Sequence, residues 1–214
     1  LQEALDRFNE LVELEPLDIA AQRRVVQLLT ELQGPDAALS YVKALSERFA
    51  HHAGVRELQY EVIEAYQPEA SRAALEAIVT ATPDNVWAIR QLAFTCLAEG
   101  DLSQAVVLHA QAEAVDADAA GTLHLAAQIA VRQDRVADAQ AIFRNAIEMD
   151  GDNIYAIEQL FALSADNDSR REAAEFVAGQ LMQQTLFGEG VVAFIEMADD
   201  VLAPEALLKL QTWP

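Results

Sequence analysis

The chain has 214 residues, 52% of them hydrophobic, and its 14 basic against 35 acidic side chains leave a net charge of −21. That balance argues against a grip on duplex nucleic acid or an anionic membrane, both of which need an excess of Lys and Arg. Glycines and prolines number only eight and six, and apolar residues recur three and four apart rather than alternating, which describes an all-α chain.

Residues 1–15 read as one amphipathic helix, with Ala4, Phe8 and Leu11 in line and Pro16 closing it. The helix it would pair with is expected before residue 1. Asp18 is placed to cap the next helix, because its carboxylate can accept orphan backbone N–H bonds. That helix carries Ala21, Val25, Val26 and Leu29, and Gly34-Pro35 breaks it. Ala38, Val42 and Leu45 then form a second stripe. A third pair, about 51–83, has Val55, Leu58 and Val62, a turn at Tyr66-Gln67-Pro68, then Leu75 and Ile78. Ser71 stands there where a small apolar residue is expected, and the unit is one residue short.

Residues 86–151 hold two consecutive units whose equivalent positions recur 34 residues apart. Ile89, Leu92, Ala93 and Cys96, a turn at Gly100-Asp101, and Ala105, His109 and Ala112 make the first. Leu123, Ala126, Ala127 and Ala130, then Asp134, then Ala139, Phe143 and Ala146 make the second. Ala93, Ala105, Ala127 and Ala139 fall where two helices must approach closely, while Leu92 and Phe143 fill space between pairs. Asp84, Asp118 and Asp152 recur at intervals of 34, each placed to cap the following helix. A fifth pair runs from Ile154, Ile157, Leu160 and Phe161 to Ala173 and Val177, with Ser169-Arg170-Arg171-Glu172 at a capping-box spacing. Beyond Thr185 the pattern fades. Val191, Phe194, Ile195 and Ala198 predict one more first helix, and Pro204 opens a short one with Leu207, Leu208 and Leu210.

This period, and the run Ala4, Phe8, Leu11, Pro16 at the spacing A-x3-F-x2-A-x4-P, resemble the tetratricopeptide repeat (TPR). The resemblance covers residues 1–185, a half repeat plus about five repeats, leaving 186–214 as capping helices or a junction to a following domain. It implies a right-handed α-solenoid of antiparallel helix pairs, a TPR-like superhelix with first helices on the concave face. It also implies a protein-interaction scaffold that binds a peptide or protein segment in that groove.

Within that frame Arg23, Arg56, Arg90, His124 and Glu158 are spaced 33, 34, 34 and 34 apart, one per repeat along the groove. Tyr60, Trp87, Phe94 and Tyr155 project from first helices toward the same side. Trp, Tyr and Arg are typical interface anchors, and the arginine fork suits carboxylates and backbone carbonyls. One reading has acidic groups of a ligand meeting Arg56 and Arg90 and an apolar group meeting Trp87 and Phe94. The other pairs the arginines with acids on neighbouring helices and packs the aromatics between repeats. Gln27, Tyr60, Phe94 and Gln128 occupy the row where chaperone-binding members of the family carry Asn, which weighs against a chaperone-cofactor role.

Motifs for chemistry are absent from the sequence. His51-His52 has no further ligand at metal spacing and reads as a helix junction, and His109 reads as partly buried packing. Gly188 to Ala193 spells G-x-G-x-x-A, but a dinucleotide site needs a strand before it, so a loop is expected. No serine elbow or phosphate loop occurs, and Asp199-Asp200 reads as a helix end. No catalytic residue, metal or cofactor is therefore assigned, and the chain is not expected to be an enzyme. An accessory, substrate-recruiting region of a larger enzyme is the alternative, and self-association through the array ends a third reading. Cys96 has no second cysteine to pair with, which fits a reducing compartment without excluding the periplasm. No apolar run approaches the ~20 residues that span a bilayer.

Overall fold

A computed structural model describes residues 1–183, 188–198 and 201–202. The predicted helix at Pro204, with Leu207, Leu208 and Leu210, and the pair Asp199-Asp200 lie outside the described residues, as does Thr185. The chain divides into two units, Leu1–Glu99 and Gly100–Pro214.

The first unit holds α1 (Gln2–Leu14), α2 (Ile19–Gln33), α3 (Pro35–Arg48), α4 (Ala53–Tyr66), a 3-10 turn (Pro68–Ala70), α5 (Ser71–Ala81) and α6 (Val86–Glu99). Each helix packs on the next in sequence, and α2 also touches α4. Val26, Ala38, Val42, Leu45, Val55, Leu58 and Val62 interlock as the core of its first two pairs. The second unit holds α7 (Leu102–Val115), α8 (Ala120–Arg132), α9 (Val136–Met149), α10 (Ile154–Ala162), α11 (Asn167–Leu181) and α12 (Glu189–Ala198). Consecutive helices again pack together, with α12 also lying on α10. A continuous core runs from Ala127 and Phe143 through Ile157, Leu160 and Val177 to Phe194.

The reasons for these elements are local. Asp18 Oδ1 accepts from Ala21 N at 3.0 Å and caps α2 as expected. Gly34 (φ 90°) leaves α2 in the left-handed region, and Pro35 supplies the first residue of α3. Gly100 (φ 84°) does the same after α6, and Asp134 (φ 59°) repeats that backbone 34 residues later. His52, in the expected junction, caps α4 by accepting from Val55 N. The small residues Ala93, Ala105, Ala127 and Ala139 are fully buried, so helix axes can close to backbone contact.

Several expectations shift by a residue or more. The aspartates at intervals of 34 are not the caps. Asn85 Oδ1 accepts from Ala88 N and Asn153 Oδ1 from Ala156 N, each at 3.0 Å, while α8, whose N-cap residue is Ala119, has no side-chain cap. The helices start one position later than the aspartates require, which hands the cap to the following residue. The capping box of α11 is Asp166 with Ser169, not Ser169 with Glu172, because the helix begins at Asn167. The Ser169 hydrogen bonds hold the Asp166 carboxyl below its ordinary range. In α7 the buried large residue is Leu108, and His109 is half-buried beside it. In α8, Thr122, Leu125 and Ile129 are buried while Leu123 and Ala126 are only half-buried. The G-x-G segment is not simply a loop, since α12 starts inside it.

Candidate functional site

In the first unit the relevant helices are α2, α4 and α6. Arg23 of α2 grips Glu61 of α4 with Nη2 at 2.6 and 2.9 Å and Nε at 3.1 Å. Both side chains remain more than 40% exposed, so the pair contributes roughly 0–1 kcal/mol. Glu57, one turn earlier on α4, is held above the usual carboxylate range by burial and by the neighbouring Glu61 charge, with Arg23 and His52 opposing. Arg56 turns back to donate from Nε to the Ala50 carbonyl ahead of its own helix. Thus Arg23 meets an acid on the adjacent first helix and Arg56 meets backbone.

Between α4 and α6, Tyr60 meets Trp87 edge to face, with centroids 5.5 Å apart and planes at 77°. The Tyr60 ring is buried, and its hydroxyl donates to Glu64 at 2.6 Å. Burial first, then that hydrogen bond, push the phenol above its ordinary value. Trp87, Arg90 and Phe94 follow one another along α6 at successive turns, all half-buried.

In the second unit the first helices α8 and α10 meet through aromatic side chains. The His124 ring lies 4.2 Å from that of Tyr155 at a 45° tilt. Gln128, one turn along α8, donates to the Tyr155 hydroxyl at 2.8 Å, and Phe143 approaches the same ring edge-on at 6.1 Å. Burial lowers the His124 pKa, which favours the neutral imidazole, and raises that of Tyr155 against the Gln128 hydrogen bond. Glu158, last of the periodic row, is exposed on α10.

Two features escaped sequence reasoning. Gln22 is buried on α2, donating from Nε2 to the Pro16 carbonyl at 2.8 Å and accepting from the Tyr41 hydroxyl. A glutamine between Ala21 and Val25 of an apolar stripe was the available signal. A cavity of about 370 Å³ opens beside it, lined by Asn9, Glu13, Tyr41, Leu45 and Arg48. Among the described residues no group of His, Cys, Asp or Glu could hold a metal ion. No described helix is long and apolar enough to cross a membrane.

No protein-family model and no curated protein matches the sequence. Solved structures do. A tetratricopeptide repeat protein from Parabacteroides merdae superposes with a TM-score of 0.60 at 10% identity, covering 97% of this chain and 91% of that one. A thermophilic TPR protein of Thermus thermophilus gives 0.58 at 15% identity over 89% of this chain and 99% of its own. MamA from Desulfovibrio magneticus gives 0.57 at 14%, over 78% of this chain and 97% of its own. With sequence so far diverged and backbone so well kept, the likeness is one of architecture: this chain has the all-α fold of the tetratricopeptide-repeat proteins, built from antiparallel helix pairs.

Proposed function

We propose that the chain is a protein-interaction scaffold that takes a peptide or protein segment on the faces of its first helices. The observation that carries this reading is the side-by-side placement of α2, α4 and α6, tied by Arg23–Glu61 and by Tyr60–Trp87. Three helices so aligned offer a ribbon of side chains to an extended ligand. Trp87 and Phe94 supply apolar anchors, and Arg56 and Arg90 supply forked donors for ligand carboxylates or carbonyls. Because the Arg23–Glu61 pair is exposed and weak, a ligand carboxylate can replace Glu61 at little cost. Within the second unit, His124 and Tyr155 offer a smaller aromatic face of their own on α8 and α10.

The test is affinity capture from native lysate with the wild type, with Arg56→Glu plus Arg90→Glu, and with Trp87→Ala plus Phe94→Ala. A partner retained by the wild type and lost by both variants supports the reading. The same partner held equally by variants of unchanged helical content overturns it.

A further inference from the structure

The second unit carries a cavity of about 170 Å³ where the starts of α8 and α10 meet the end of α9. Leu123, Ala146 and Met149 line it with apolar surface, and Asp118 and Asp150 stand among the lining residues. Met149 is 55% exposed at the mouth of this cavity. The two acids come from the turns Asp116-Ala117-Asp118 and Asp150-Gly151-Asp152, the same D-x-D pattern 34 residues apart. Asp150 Oδ1 is held in place by Asp152 N at 3.1 Å, whereas the Asp118 carboxylate has no partner among the described residues. No Lys or Arg lines the cavity, in a chain whose net charge is −21.

We propose that this cavity receives a lysine or arginine side chain from a basic partner segment. The aliphatic stem lies along Leu123 and Met149 while the cationic head reaches Asp118 and Asp150. A neutral apolar group would leave the carboxylates unused, and an acidic one would meet like charge in a field already strongly negative. Charge complementarity therefore selects a cationic occupant, and the apolar lining selects one with a stem. All of the cavity's lining residues belong to the second unit.

Carbon-13 methyl labelling of methionine places one reporter in the site, Met149, and two elsewhere, Met182 and Met197. The protein is titrated with an acetylated, amidated peptide of three Leu-Lys repeats, with its Leu-Glu counterpart, and with spermidine. The Leu-Lys peptide is expected to move the Met149 methyl saturably while Met182 and Met197 stay in place. The Leu-Glu peptide is expected to move none. Asp118→Asn is expected to weaken the Leu-Lys affinity about threefold or more. The proposal is overturned if all three methyls move together, if none moves, or if Asp118→Asn binds as tightly as the wild type. Spermidine, whose four-carbon stem ends in an ammonium as a lysine side chain does, is expected to move Met149 as well, and a spermidine shift spread equally over all three methyls overturns the proposal.

Discussion

The Asp152 carboxylate accepts a hydrogen bond from the backbone N–H of Gly190 at 2.6 Å, so the turn that opens α10 also closes the start of α12. The approach is possible only because the second helix begins with glycines. A Cβ at Gly188 would lie 2.2 Å from both Asp152 carboxylate oxygens, and one at Gly190 would lie 2.6 Å from Oδ1 and 3.0 Å from the Asp152 Cα. What spells a nucleotide-binding motif is thus a seat for an internal carboxylate at a helix N-terminus.

Replacing Gly188 by Ala is therefore expected to destabilise the second unit by about 1–3 kcal/mol through overpacking. Asp152→Ala alone costs about 1 kcal/mol as a lost hydrogen bond to the Gly190 N–H. Together the two should cost clearly less than their sum, since the added methyl then meets no carboxylate. Denaturant unfolding of the four proteins measures this coupling, and strict additivity would refute the seat.

Asp134 adopts φ 59° at the position where Gly100, one period earlier, adopts 84°. A side chain in the left-handed region costs roughly 1–2 kcal/mol, less for Asp than for most residues. Asp134→Gly is expected to stabilise by about 0.5–1 kcal/mol once the added freedom of the unfolded chain is deducted. Gly100→Ala should destabilise by about 1–2 kcal/mol. Opposite signs in thermal melts check the pair, and two shifts of the same sign would contradict it.

Ser71, at the start of α5, is 8% exposed and its hydroxyl has no hydrogen-bond partner among the described residues. The repeat pattern asks for a small apolar side chain here, and the hydroxyl adds a desolvated polar group instead. Ser71→Ala is expected to raise stability by about 1 kcal/mol. A loss of stability in chemical unfolding would mean that the hydroxyl has a role the packing does not reveal.

The fold was legible because close helix packing demands small residues at fixed spacing, and Ala93, Ala105, Ala127 and Ala139 satisfied that demand. Cap positions were less legible. Asp84 and Asp152 sit beside Asn85 and Asn153, and a spacing argument cannot tell which neighbour begins the helix when both side chains can cap. The row of Arg23, Arg56 and Arg90 was legible as a periodicity, but not in its contacts. Whether an arginine meets a carboxylate one helix away or a carbonyl six residues behind depends on rotamers, which repeat spacing does not encode. The Asp152–Gly190 contact joins residues 38 apart in sequence, beyond the reach of any local pattern.

The His124–Tyr155 contact makes stability of the second unit depend on pH. Burial holds the imidazole pKa below its ordinary value of 6.5, so the unfolded chain binds the proton more readily than the folded one. This contribution is complete above pH 6.5 and is lost as pH falls from there through the lower folded value. The groups around the ring sharpen the expectation. Gln128 and Tyr155 bring no charge at neutral pH, and Glu158 on α10 acts on Tyr155. His124→Gln removes the titrating group. Unfolding free energies measured at pH 7.5 and 5.5 should therefore fall further for the wild type than for the variant. Equal losses in the two proteins would show that the ring accepts its proton in the folded state as easily as in water.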